Sequence, residues 1–195
     1  MYQVTVIFTQ HTPEGKCNSL ELLKIIESIQ PDVIFEEIGY VAYDYLYVQR
    51  NRTKLESDAV KWYLTTHTAD HLPVDTFNSP DDYHSKWNML LNTTGKYLKT
   101  SESLNHAFNQ MVFHAQTGGF PFLNSDEHDA LFDALDAEEN KILAELGDEN
   151  LNQIAVLRNE VNSNRDEVMI DNIYRYASEQ SFESGVFLIG AGHRR

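Results

Sequence analysis

The chain has 195 residues, room for one domain of ordinary size, and its 42% hydrophobic and 23% charged residues describe a folded globule, not a disordered chain. Thirty acidic against fifteen basic side chains give a formal charge of -15. That field repels phosphate backbones and anionic lipid and attracts cations, so nucleic acid and membrane surfaces are excluded as expected partners. No apolar run approaches the roughly 20 residues that a membrane helix needs. The opening segment from Met1 to Phe8 carries no basic stretch before its apolar run and does not read as a signal peptide. A single cysteine, Cys17, excludes an internal disulfide framework and a multi-cysteine zinc site. A reducing, cytoplasmic location follows as the simplest expectation.

In chain order, Val4-Thr5-Val6-Ile7-Phe8 is a β-branched and aromatic run typical of a buried strand. After a polar stretch from His11 to Lys16, Asn18 with Glu21 resembles a capping box. Leu22, Leu23, Ile26 and Ile29 then recur at helical spacing until Pro31-Asp32 stops the helix. Val33-Ile34-Phe35 predicts a second buried strand running into Glu36-Glu37, and strand, helix, strand reads as a βαβ unit with parallel strands. Residues 43–66 predict a helix. Leu72 to Phe77 predicts a third strand, limited by Pro73 to a strand start or an edge. Residues 81–161 predict a helical insertion, broken most clearly at Gly118-Gly119-Phe120-Pro121 and holding a helix capped by Asn124 and Glu127. A further helix is expected over 149–161, and Asn164 with Glu167 opens another. Val186-Phe187-Leu188-Ile189 is a final buried strand, followed directly by Gly190-Ala191-Gly192-His193. The expected fold is a single α/β domain over residues 1–195, with a largely parallel central sheet and a helical insertion before the last strand.

In open parallel sheets, ligands sit outside the carboxyl ends of the strands. Three buried strands here end in residues with chemistry: His11, then Glu36 and Glu37, then His193. Singly, each has a duller reading as a loop residue or an acidic loop start, and the Gly-Ala-Gly turn can exist for backbone geometry alone. Together at successive strand ends they predict a site. Two neutral imidazoles and a carboxylate can hold a divalent metal with positions left for water, and such a metal suits hydrolysis. Composition does not choose among manganese, cobalt, zinc and iron.

The ordering of these pieces resembles the TraB/TIKI superfamily and the related erythromycin-esterase-like and ChaN-like proteins. The matching segments are Thr9-Gln10-His11, Pro31 through Glu37, Asn164 through Met169, and Gly190-Ala191-Gly192-His193. Aligned on Pro31-Asp32, the family's glutamate falls on Glu37, one position past Glu36. Leu72-Pro73-Val74-Asp75 is similar to the family's third strand. The resemblance implies a metal-dependent hydrolase, of peptides in one branch and esters in another, or a haem-binding role in the ChaN-like branch. It implies His11 and His193 as ligands, Glu37 as ligand or general base, and Arg165 as an electrostatic clamp on a substrate carboxylate or oxyanion. Two departures stand out: Phe8 replaces a glycine that the family often carries, and the chain stops at Arg195, which reads as a C-terminally shortened member.

The remaining candidates have weaker signals. Arg165 reads equally well as a surface residue paired with Asp166 or Glu160, and Asp75 as a turn cap. His67 and His71 read as loop residues beside Pro73. His84, His106, His114 and His128 read as ordinary histidines of the helical middle, Cys17 as a small buried residue, and Tyr40, Tyr43, Tyr45 and Tyr47 as packing. The leading expectation is therefore metal-dependent hydrolysis of an amide or ester bond in a peptide or small molecule. The rivals are a metal-free hydrolase in which His11 activates water and Glu37 orients the ring, and a non-catalytic small-molecule or haem-binding protein.

Overall fold

The computed structural model describes residues 1–49, 54–97 and 100–194. Four strands, β1 (Gln3–Thr9), β2 (Val33–Glu36), β3 (Asp70–Pro73) and β4 (Ser184–Gly190), form one sheet in the order β1-β4-β2-β3, with all neighbours parallel. Strand β2 is buried at all four positions and β4 at its five central ones. This is why both read as continuous apolar runs without alternation: a parallel sheet is covered on both faces. The first and second strands are parallel as expected but are not neighbours, because β4 lies between them. Asp32 fastens that insertion, its Oδ2 accepting from the backbone N–H groups of Glu183 (2.8 Å) and Ser184 (3.0 Å).

Helix α1 (Ser19–Ile29) starts where Asn18 accepts from the N–H groups of Leu20 and Glu21, and ends at Gln30 in the left-handed conformation. It packs with α3 (Leu55–Thr66) on one face of the sheet against Ile7, Ile34, Val186 and Leu188. Between β2 and α3 lie a short helix, α2 (Tyr40–Tyr43), and a π-helical turn at Asp44–Val48 in place of one continuous helix over 43–66. The third strand begins earlier than expected and ends at Pro73, on the sheet edge where a missing N–H is tolerated.

The helical insertion comprises α4 (Tyr83–Tyr97), α5 (Glu102–Gly118), α6 (Phe120–Leu123), α7 (Asp126–Leu146) and α8 (Glu149–Glu179). The expected break near residue 162 does not occur; α8 runs unbroken for 31 residues. No Pro or Gly stands between Asp148 and Gly185 to interrupt it. Its first half packs with α4 and α7 around Leu90, Leu143, Leu151 and Ile154. Its second half lays Met169 and Ile173 on the other face of the sheet, against Val33, Phe35, Phe187 and Ile189. Helix α7 is capped by Ser125, one residue past the expected Asn124. Asn124 instead bridges to the outer edge of β1, accepting from the Phe8 N–H and donating to the Phe8 carbonyl, both at 3.0 Å. Gly15, at φ 53°, lets the loop after β1 lie directly on the Gln116 backbone of α5, where any Cβ would collide.

Candidate functional site

Because all four strands run the same way, their carboxyl ends deliver His11, Glu37, Asp75 and His193 to one edge of the sheet. Side chains alternate across the sheet, so the adjacent pair Glu36-Glu37 divides between its faces. Glu36 shares the face of Ile34 and α3; its Oε2 accepts from Tyr47 Oη (2.5 Å) and His71 Nε2 (2.9 Å). Glu37 turns to the face of α8. Its Oε1 accepts from Arg165 Nη2 (2.5 Å) and from His193 Nε2 (3.1 Å), and its Oε2 accepts from the Gly190 N–H (2.6 Å). Gly190 lies in close approach here: a Cβ would stand 3.2 Å from Glu37 Oε2, a tight contact, and 3.7 Å from His11 Nε2.

Arg165 is a spoke between two acids, donating from Nε (3.1 Å) and Nη2 (2.8 Å) to Asp75 Oδ2 as well as to Glu37. The unbroken α8 carries both Arg165 and its neighbour Asp166, whose Oδ1 lies 2.5 Å from His193 Nδ1. His193 thus has a carboxylate on each ring nitrogen. Burial works against its charge, but the hydrogen bonds to Asp166 and Glu37 outweigh burial and raise its pKa from 6.5 to about 9. It is an imidazolium at neutral pH. For Glu37, burial is likewise overruled by His193, the Gly190 N–H and Arg165, which bring its pKa from 4.5 down to about 2.

His11 is paired differently. Its Nδ1 lies 3.1 Å from Glu56 Oε1 in the first turn of α3, and Thr9 Oγ1 donates to the same oxygen at 2.7 Å. The hydrogen bond to Glu56 raises the pKa of His11 above 6.5, with burial opposing it. The carboxylates of Glu56 and Glu37 are 5% and 6% exposed and the His193 ring 9%, whereas the His11 ring is 54% exposed. Of the two imidazoles, His11 is the one open to solvent. Its Nδ1 is fixed by Glu56, which leaves Nε2 to act in the cleft.

The cleft is a cavity of about 940 Å³ between this sheet edge and the helical insertion; His11, Glu37, Arg165, Asp166 and His193 line it. Beneath His11, a chamber of about 10 Å³ between Glu36, Glu37 and Glu56 is the size of one water. A second cavity of about 920 Å³ opens on the other side of Arg165 and Asp75.

Some residues sit where the sequence suggested, Cys17 among them, and others do not. His71 is not a loop residue; it sits in β3 with its ring buried on Glu36. Arg165 does not pair with Asp166 or Glu160 at the surface, and Asp75 is its partner and not a turn cap. Cys17 is buried, its thiol donating to the Ala115 carbonyl, and burial pushes its pKa up to about 11. Tyr47 joins the Glu36 network, while Tyr40 and Tyr45 are exposed. Glu56 carried no signal in the sequence, and Asp166 figured only as a surface partner of Arg165; only the fold brings the two acids to the imidazoles.

Among the described residues, no group of three or more His, Cys, Asp or Glu side chains is arranged to hold a metal ion. The expected set of His11, Glu37 and His193 shows why. A ligand imidazole must offer a lone pair, but both nitrogens of His193 face carboxylates. A ligand carboxylate must offer an oxygen, but Glu37 already receives a guanidinium, an imidazolium and a backbone N–H. The arrangement as it stands does not fit a divalent metal. Among the described residues, no helix is long and apolar enough to cross a membrane. Comparison with protein-family models, with curated proteins and with solved structures finds no match for this chain.

Proposed function

We propose that the protein is a metal-independent hydrolase of ester or amide bonds in a small molecule or peptide, with His11 as general base. The single observation that carries this reading is the His11–Glu56 pair: an imidazole open to a large cleft on one side and oriented by a buried carboxylate on the other. A His so placed takes a proton at Nε2 while the carboxylate steadies the charge that develops. The resemblance to the esterase branch of the TraB/TIKI superfamily supports the same role for His11 and its place after the first strand.

In the reaction, His11 Nε2 removes a proton from water and the resulting hydroxide attacks the substrate carbonyl carbon. The carbonyl oxygen becomes an oxyanion, which Arg165 stabilises through Nη1, the guanidinium nitrogen that donates to neither Glu37 nor Asp75. His11 then returns its proton to the leaving alkoxide or amine as the carbon–oxygen or carbon–nitrogen bond breaks. One water is consumed, and an acid and an alcohol or amine are released. Glu37 takes no proton; held low by its partners, it keeps His193 charged and Arg165 in place. A cytoplasmic location, with no nucleic-acid partner, fits the lone buried thiol and the acidic charge.

The test is hydrolysis of p-nitrophenyl esters and aryl amides by metal-free protein, beside His11→Ala. Activity that the substitution reduces by about 10²-fold or more is expected. Wild type inert on every substrate would sink the reading.

A further inference from the structure

The reacting groups occupy only one corner of the cleft. Its opposite wall is built by the helical insertion: Trp87 from α4, Phe108, Met111 and Val112 from α5, and Phe132 and Leu135 from α7. Phe108 stands 45% exposed on that wall, a large apolar surface left to water. A cavity of about 940 Å³ walled by six such side chains is far larger than the scissile group requires.

The charges on the lining are spoken for. Arg158 donates to Glu139 at 2.6 Å and lies over the Trp87 ring at 5.5 Å. Arg165 is held by Glu37 and Asp75, and His193 by Glu37 and Asp166. A carboxylate or phosphate on a ligand would therefore add charge beside cations that each already hold an acid, His11 with Glu56 included, inside a protein that carries -15. An uncharged group meets no such cost and gains the apolar wall.

From these observations we infer that the cleft takes a neutral ligand with a bulky apolar portion, laid along the α5 and α7 wall with its ester or amide at His11. The inference rests on the hydrolase reading for the reacting end, and on the wall alone for the ligand class. Neutral polar groups beside the scissile bond find Asn159, Asn162 and Ser163 on α8.

The experiment uses two fluorophores that differ by one sulfonate, N-phenyl-1-naphthylamine and 1-anilinonaphthalene-8-sulfonate, titrated into the whole protein. The neutral probe is expected to bind one per chain, about 10-fold or more tighter than the anionic one, because the sulfonate finds no cation without an acid. Phe108→Asp should weaken the neutral probe by a similar factor. Phe113→Asp, which adds the same charge at a side chain 58% exposed and off the cleft lining, should not. A parallel assay compares kcat/KM for p-nitrophenyl hexanoate and for the mono-p-nitrophenyl ester of adipic acid, which adds a terminal carboxylate. Equal binding of the two probes, or Phe108→Asp binding like wild type, overturns the ligand class. Tight neutral-probe binding with no ester cleaved overturns the hydrolase reading and leaves the ligand class standing. Cleavage with no preference between the two esters does the reverse.

Discussion

Glu36 and Glu37 adjoin in the chain, yet one residue of pleat sends them to opposite faces of the sheet, and their expected failures differ accordingly. Glu37→Gln keeps the shape but removes the charge that holds His193 protonated and Arg165 in place. Activity on an ester should fall by about 10²-fold, with the alkaline limb of the pH profile moving below about 9. Glu36→Gln leaves the cleft intact but weakens the acceptor shared by Tyr47 and His71, so it should cost about 1–3 kcal/mol in denaturant melts with activity nearly unchanged. The opposite pattern would put the chemistry on Glu36. Glu56→Gln tests the orienting role: kcat should fall by about 10²-fold, and the acid limb should move to lower pH, because Glu56 is the main cause of the raised His11 pKa. A purely structural Glu56 would lower the melting temperature without moving that limb.

At the scale of elements, β1, α1, β2 and β4 were legible in the sequence because their signals are local: β-branched runs, an Asn18 cap, a stop at Pro31. Burial on two faces made β2 and β4 unusually plain, whereas β1, read as buried, is an edge strand buried only at Ile7 and Thr9. The place of β4 between β1 and β2 was not legible, since a strand's neighbours are chosen by contacts over 150 residues away, such as Asp32 reaching the N–H groups of Glu183 and Ser184. Asn164 misled for a related reason. It has the composition of a cap, but helix packing on both sides of it, around Ile154 and around Met169, carries α8 straight through. Glu56 escaped notice because its partner lies 45 residues away and nothing in its own turn distinguishes it from other acids. Asn124, read as a cap, is an edge clamp. Asn124→Ala should therefore remove two hydrogen bonds to β1 and lower stability by about 1–2 kcal/mol in a denaturant melt. A loss confined to the helicity of α7, with β1 amide exchange unchanged, would mean that its role is capping after all.

The whole molecule is an acid-rich body with two imidazoles at one edge of its sheet, so pH and cations act on it in predictable ways. As pH rises, kcat/KM should climb as His11 loses its proton above 6.5 and fall as His193 loses its own near 9. Stability follows the same groups with its own sign. His193, raised on folding, contributes fully below 6.5 and loses that contribution as pH rises toward about 9. Glu37, lowered on folding, contributes fully above 4.5 and loses its contribution as pH falls toward about 2. Their joint contribution is largest between about 4.5 and 6.5. Divalent ions are the sharper test, because a charge of -15 gathers cations diffusely whether or not a site exists. A rise in melting temperature on adding manganese would therefore decide nothing unless it survived high salt, which screens diffuse binding. Stoichiometry and rate do decide. Protein dialysed against a chelator should keep its full esterase activity, and titration with manganese, cobalt, zinc or iron in 0.5 M salt, roughly where exposed charges are screened, should show no single saturable ion. A metal built on His11, Glu37 and His193 would first have to strip a proton from His193 and displace Arg165 from Glu37. It would announce itself by restoring lost activity at one ion per chain, with proton release on binding. That outcome would replace the imidazole base with a metal-bound water and turn Arg165 from a structural spoke into a residue that moves.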